Sequence, residues 1–534
     1  MKLNKILAVA AVALFGMGFT SCINDLNVEN INPQQDTEFN QDATFNNVYA
    51  NFALTGLNWD SDPDTYSTDG GGGQSGFLRQ LWNANELTTD EAHCVWGDAG
   101  IPEFDHNMCG DSHPMLRMFY DRAYFGITLC NFFLDQTEDK DDAETLRQRA
   151  EVRFLRAYTY LQVMDLFGDI AWLDHISTEY AQKKERAWVF DWIETELKQV
   201  AGEEESHEVL AEPRTNTYGR VDKAAAWLLL SRLYLNAEVY TGTARWADAK
   251  TFADKTMKSG YSLNTTGKGM YSAYQLLFMG DNNENGAQNE NIFVAMQDGE
   301  RTRSYGCGLF FICAMKDGTL DADYPCGSSQ NWAGNHARPQ FVQKFFPGDD
   351  APAGTPFDLA LSAGDDRALF YTKGHTLDIT DESAYANGYA YIKFIGVRSD
   401  GGATSDASGE FPDNDIPILR LAEAYLTYAE ADARQNGGSC SGDGLDKIKE
   451  LRKRANANSD LGSFTLNQIV DEWSREFGWE GRRRMDLIRF GLYGGQSSYK
   501  WQWMGGVYDG AQFGTDQNIF PIPSTDRTAN PNLQ

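Results

Sequence analysis

Val221-Asp222-Lys223-Ala224-Ala225-Ala226-Trp227-Leu228-Leu229-Leu230-Ser231-Arg232-Leu233-Tyr234-Leu235-Asn236-Ala237-Glu238-Val239-Tyr240, a break at Gly242, and Trp246 to Ser259 form the stretch that decides the fold. Ala224, Trp227, Leu228, Ser231 and Leu235 recur at helical spacing, so Val221–Tyr240 is expected to be one helix and Trp246–Ser259 its antiparallel partner. Small residues at Ala225, Ala237 and Ala253 allow the two axes to approach closely. A helix hairpin of this kind buries its apolar face only by stacking on others. The pattern recurs at Ile418–Gln435 and Asp446–Ala457, on either side of Gly437 and Gly438. Upstream, helices are expected over Asp42–Leu57, His113–Leu134, Asp142–Phe167 and Trp188–Val200.

Ala224–Lys258 matches a tetratricopeptide hairpin in length and pattern. The expected fold is therefore mainly α: a tetratricopeptide-like scaffold of helical hairpins drawn from both ends of the chain, with a loop-rich insert between. Residues 261–412 change character, with Gly, Asn and Asp clusters and short strand-like runs at Ile292–Met296 and Tyr389–Phe394. Long irregular segments in compact proteins are where binding concentrates. The expected division is 1–21 signal peptide, 22–260 N-terminal helical scaffold with binding loops, 261–412 irregular binding region, and 413–534 the helical part that completes the scaffold.

The 534 residues carry 46 basic against 77 acidic side chains, a net charge of -31 that repels nucleic acid. Attachment to an anionic membrane must then be covalent or hydrophobic. Lys2 and Lys5 precede an apolar run from Ile6 to Phe19, which is too short to span a bilayer and suits a signal peptide. It ends in Phe19-Thr20-Ser21-Cys22, similar to a bacterial lipobox, so Cys22 is the expected acylated N-terminus. Several acyl chains anchor stably where one is marginal. The other seven cysteines leave at least one unpaired, and none has zinc-ligand spacing. The 13 Trp, 24 Tyr and 31 Phe suit either a helical-repeat core or a surface that stacks on flat ligands.

Glu151-Val152-Arg153-Phe154-Leu155-Arg156-Ala157, Leu419-Arg420-Leu421-Ala422-Glu423-Ala424-Tyr425-Leu426, Arg475-Glu476-Phe477, Glu480-Gly481-Arg482-Arg483, Arg489-Phe490-Gly491 and Ile519-Phe520-Pro521-Ile522-Pro523 resemble, in order, the SusD/RagB family. Leu134-Asp135-Gln136-Thr137-Glu138 and Leu235 to Gly242 resemble its starch-binding branch. The resemblance implies a lipoprotein of the outer membrane, facing the cell surface, that binds starch or maltooligosaccharides. It also implies a partner, a SusC-like TonB-dependent transporter that receives the glycan. By spacing alone, Glu476, Glu480 and Arg484 are expected to share a helical face as an ion-pair ladder, with Asp486 and Arg489 doing the same. This reading is preferred to a catalytic carboxylate pair.

Carried over position by position, the resemblance makes Arg79, Trp96, Tyr305 and Trp332 the glycan-binding residues. It assigns no catalytic residue, no metal ligand and no cofactor. All three aromatics lie in loop-like sequence, which favours exposure. Two polar positions of the family depart: one falls on Ala99 or its neighbours, the other within Gly71–Gly73, with Asp69 and Asp98 as nearby substitutes. Asp281-Asn282-Asn283-Glu284-Asn285 is rich in oxygen ligands. It lacks EF-hand spacing, so a solvated loop is preferred there to a structural calcium ion. Three stacked rings and a few hydrogen bonds, set against ordering a flexible oligosaccharide, place the expected dissociation constant between about 10 μM and 1 mM. The alternatives are a binder of another glycan or of a peptide on the same fold, and a glycoside hydrolase, for which no local motif selects an acid pair.

Overall fold

The computed structural model describes residues 39–58, 62–63, 65 and 73–534. Cys22, Asp69, Gly71 and Gly72 lie outside the described residues, as does the expected signal peptide. Contacts divide the chain into two units, Met1–Thr44 and Phe45–Gln534. The first helix, α1 (Gln41–Ala50), is shorter than the expected Asp42–Leu57 because the chain turns at Asn51–Ala53.

A short helix α2 (Phe77–Trp82) and a strand β1 (Ala92–Cys94) precede the scaffold. The scaffold proper begins with α3 (Pro114–Gln136), α4 (Ala143–Phe167), α5 (Arg186–Val200), α6 (Lys223–Leu235) and α7 (Trp246–Met257). Capping fixes several starts: the Asp142 carboxylate accepts from the Thr145 N–H at 3.0 Å, and that of Asp222 from the Ala224 N–H at 2.8 Å. The expected helix Val221–Tyr240 breaks at Asn236, and Ala237–Thr241 forms a separate turn.

The irregular region contributes β2 (Asn291–Ala295), α8 (Gly308–Cys313) and β3 (Asn335–Ala337). The chain returns through β4 (Ile416–Arg420) to α9 (Ala422–Gln435), α10 (Asp443–Arg454) and α11 (Leu466–Phe477). Ile418–Arg420, expected as the start of a helix, is strand instead. Pro417 and the β-branched isoleucines suit an extended chain, and β4 pairs antiparallel with β2 in the register Ile416 to Ala295.

Helices α3 to α7 pack each on the next, and α7 packs against both α6 and α9, which in turn carries α10. Ala224, Ala225, Ala249 and Ala253 are fully buried in this stack. The scaffold is therefore one array assembled from both ends of the sequence, and the irregular region is mounted on it. No helix among the described residues is long and apolar enough to cross a membrane.

Two expectations are corrected. The segment at Asp281 is solvated only in part: Asn283 and Glu284 are exposed, but Asp281 and Asn282 are buried, and the Asn282 amide donates to the carbonyls of Leu277 (2.9 Å) and Asp415 (2.8 Å). Its polar atoms join loops to one another. The ladder of Glu476, Glu480 and Arg484 does not form on one helix, because α11 ends at Phe477 and Trp479 turns the chain at φ +71°. Glu476 is instead fully buried, accepting from Arg420 (2.7 Å), Arg367 (3.2 Å) and Arg454. Asp486 and Arg489 do pair, at 2.8 Å. Cys94, Cys109, Cys130, Cys307, Cys313, Cys326 and Cys440 are all buried free thiols.

Candidate functional site

Two distant segments meet in a short ladder. β1 and β3 pair antiparallel, with Ala92 opposite Ala337, His93 opposite His336 and Cys94 opposite Asn335. Trp96 leaves this ladder on one strand, and Trp332 enters it on the other. The strap carrying Trp332 is hung on the open end of α8, whose last carbonyls lack partners within the helix. The N–H of Trp332 donates to the Cys313 carbonyl (2.9 Å), that of Ala333 to Lys316 (2.9 Å), and those of Gly334 and Asn335 to Ala314 (2.9 and 2.7 Å). Lys316, fully buried, fixes the same strap through Ser328 O (2.8 Å), Asn331 Oδ1 (2.9 Å) and the Asp321 carboxylate (2.9 Å). Gly334 is required by close approach: a Cβ there would lie 2.3 Å from the Trp96 indole.

Three rings then share one open groove of about 400 Å³, lined by Gln74, Arg79, Trp96, Asp98, Tyr305, Gln330 and Trp332. The ring centres of Trp96 and Trp332 are 6.3 Å apart with their planes at 55°, and those of Trp332 and Tyr305 are 5.8 Å apart at 70°. Each ring is half-buried. The Trp96 Nε1–H donates to the Trp332 carbonyl at 3.0 Å, locking the two loops together. Tyr305 is stacked from behind by Phe411 (5.7 Å, 27°), and its hydroxyl donates to Glu410 Oε1 at 2.8 Å. The backbone at Tyr305-Gly306 lies directly on Gly73 and Gly76, where any Cβ would come within 2.6 Å of it. The end of the glycine run is thus a packing requirement.

Arg79 forms the floor. It projects from α2, is 7% exposed, and donates from Nη1 to the Tyr305 carbonyl at 3.3 Å. Its guanidinium carbon sits 4.9 Å from the Phe310 ring centre and 5.8 Å from those of Trp96 and Trp332. Burial lowers its pKa to about 10, opposed by the negative charge of Asp98, so it stays cationic at neutral pH.

Arg79, Trp96, Tyr305 and Trp332 are therefore brought together, and the three aromatics stand in loops. Of the two substitutes considered for the departed polar positions, Asp98 lines the groove. Ala99 is exposed and outside the lining. The sequence reading missed Gln74, Gln330, Glu410, Phe411 and Lys316. Gln330, two positions before Trp332, had the clearest signal; Glu410 and Lys316 had none, because their partners are distant in sequence.

The ladder beneath the groove has a pH signature. His93 and His336 stack across it (6.3 Å, 17°), and His336 also meets the rings of Tyr385 (4.8 Å) and His375 (6.4 Å). Burial, with the charges of His93 and His375, holds His336 well below the ordinary 6.5. Below pH 6.5 the unfolded chain takes up this proton while the folded chain does not. The contribution is complete above that value and is lost as pH falls. Wild type is expected to lose stability relative to His336→Phe by up to ~1.4 kcal/mol per pH unit below 6.5, read from denaturant midpoints. Parallel pH profiles for the two proteins would contradict this.

A family model described as SusD family matches residues 235–534, and one described as starch-binding associating with outer membrane matches residues 26–235. The starch-binding protein SusD of Bacteroides thetaiotaomicron is 40% identical, over 99% of this chain and 98% of that protein. Among solved structures, a SusD superfamily protein from Parabacteroides distasonis aligns with a TM-score of 0.66 at 20% identity, over 93% of this chain and 98% of the other. The surface glycan-binding protein A of Bacteroides thetaiotaomicron, in complex with laminarihexaose, aligns at 0.64 and 16% identity, over 92% and 98%. Stacked helical hairpins, an irregular region mounted on them and matches spanning nearly the whole sequence lead to one assignment: this chain belongs to the SusD family.

Proposed function

We propose that this protein is an outer-membrane lipoprotein, acylated at Cys22, that binds α-glucan oligosaccharides of the starch type at the ring-lined groove. It passes them to a SusC-like TonB-dependent transporter. The observation that carries this reading is the turn from ring to ring, 55° and then 70°, around a groove floored by Arg79. A pyranose packs its C–H face on an aromatic ring and needs hydrogen-bonding groups at its edges. An α-linked glucan is curved, so successive residues meet rings that are themselves rotated. Gln74, Asp98, Gln330 and Arg79 are placed for the edges. The name of the 40% identical relative, a starch-binding protein, supports the same ligand class, and the description of the matching family model supports the membrane.

Binding by rings and hydrogen bonds needs no cofactor and breaks no bond. Hydrolysis would need two carboxyl groups flanking the scissile bond with separated pKa values. Of the acids here, Glu410 already accepts from Tyr305 and from Gln330 Nε2 (3.1 Å). Native electrophoresis in a gel containing amylopectin is the direct test: retarded migration is expected. Unretarded migration with retention by another polymer would overturn the α-glucan assignment. Release of reducing ends by the purified protein would overturn the non-catalytic one.

A further inference from the structure

The groove curves because its rings are held at fixed angles, and one side chain outside the ring set governs the last of them. Glu410 lies on a tight loop built around the Asp406 carboxylate, which accepts from the N–H groups of Ser408 (3.0 Å), Glu410 (3.1 Å) and Phe411 (2.9 Å). The loop is tied to the Trp332 strap by the Ser328 hydroxyl on the Glu410 carbonyl (2.7 Å) and the Ser329 N–H on the Gly409 carbonyl (2.7 Å). From this base two adjacent residues hold Tyr305: Phe411 against one ring face, Glu410 at the hydroxyl. The same Oε1 accepts from Gln330, so ring and amide are set by one atom.

We infer that Glu410 is a positioning residue that sets the specificity of the groove for a curved chain, by fixing the long axis of the Tyr305 ring while Phe411 sets its plane steeply to Trp332. The inference rests on the α-glucan reading. Phe411 against one face sets the rotation of the Tyr305 ring about its long axis, and the bond at the hydroxyl, which lies on that axis, stops the axis itself from swinging. A rigid, bent platform excludes a flat, β-1,4-linked glucan and accepts a bowed one. A mobile platform loses the bowed ligand and gains nothing comparable for the flat one, because ordering the ring is then charged against binding.

The test is calorimetry with maltohexaose and cellohexaose on the full mature chain. Wild type is expected to prefer maltohexaose. Glu410→Ala should weaken maltohexaose binding about tenfold, the scale of one or two hydrogen bonds, with cellohexaose little changed, so that the ratio of the two affinities collapses. Tyr305→Phe removes the same bond from its other end and should reproduce the loss. The double variant Glu410→Ala with Tyr305→Phe should lose no more than Glu410→Ala alone, as coupled partners do. Glu410→Gln, which keeps an acceptor oxygen for the hydroxyl, should restore most of what Glu410→Ala loses; a merely structural role for the loop would not separate these two variants. If wild type binds maltohexaose and Glu410→Ala changes it less than twofold, or lowers both glucans equally, or adds its loss to that of Tyr305→Phe, the inference is overturned and the α-glucan reading stands. If wild type binds neither glucan, the α-glucan reading itself fails, and the inference with it. Should Glu410→Ala not fold, Tyr305→Phe alone decides: an unchanged affinity ratio refutes the role.

Discussion

Replacing Trp96 and Trp332 together by Ala is expected to weaken maltoheptaose binding by roughly 100- to 5,000-fold, enough to erase retardation in an amylopectin gel. Each stacked ring contributes about 0.5–1.5 kcal/mol beyond its buried area. Covering on the order of 50 Å² of each ring adds about 1 kcal/mol more, at about 25 cal/mol per Å². The two losses together come to about 3–5 kcal/mol. The substitution also removes the Trp96 Nε1–H bond to the Trp332 carbonyl, so circular dichroism and a melting curve must accompany the titration. Trp96→Phe and Trp332→Phe, which keep a ring face in each place, should each cost far less than the corresponding Ala variant. An affinity that survives loss of both indoles would mean the sugar sits elsewhere.

Glu476→Gln is expected to destabilise the fold by about 3–5 kcal/mol, measured as a fall in the denaturant midpoint at neutral pH. The carboxylate is fully buried and touches guanidinium groups from three separate segments: Arg367 from the irregular region, Arg420 from β4 and Arg454 from α10. Burial opposes its charge, but Arg454, Arg420 and Arg367 together hold it far below the usual carboxylate range. Glutamine keeps the shape and removes the charge, so three buried cations lose a shared counter-ion. Glu290, at 3.0 Å from Arg454 and 3.3 Å from Arg420, and Glu480, at 2.7 Å from Arg420, compensate only in part. Because the network ties the binding region to the helical array, the loss should be global and cooperative. A midpoint within error of wild type would show that the cluster is held by packing alone.

The helical hairpins were legible in the sequence because a buried stripe writes itself at a 3.6-residue period. Strand β4 was misread because five residues of mixed apolar character fit either period; only its partner β2, more than a hundred positions away, decides it. The same holds for Glu476. Spacing of four suggested one helical face, yet the left-handed turn at Trp479 separates it from Glu480 and Arg484, and nothing local announces a tryptophan in that conformation. In the groove, the rings were found through the resemblance and their loop setting. Glu410, Gln330 and Lys316 were not, since each acts through a partner brought close only by the folded chain.

Two of the three aromatic side chains direct their one polar atom inward, Trp96 to a carbonyl and Tyr305 to a carboxylate. What those two present outward is carbon. Such a surface registers the bend and repeat of a polymer more than the pattern of any single unit, so it can clasp an internal stretch of a long chain as readily as its terminus.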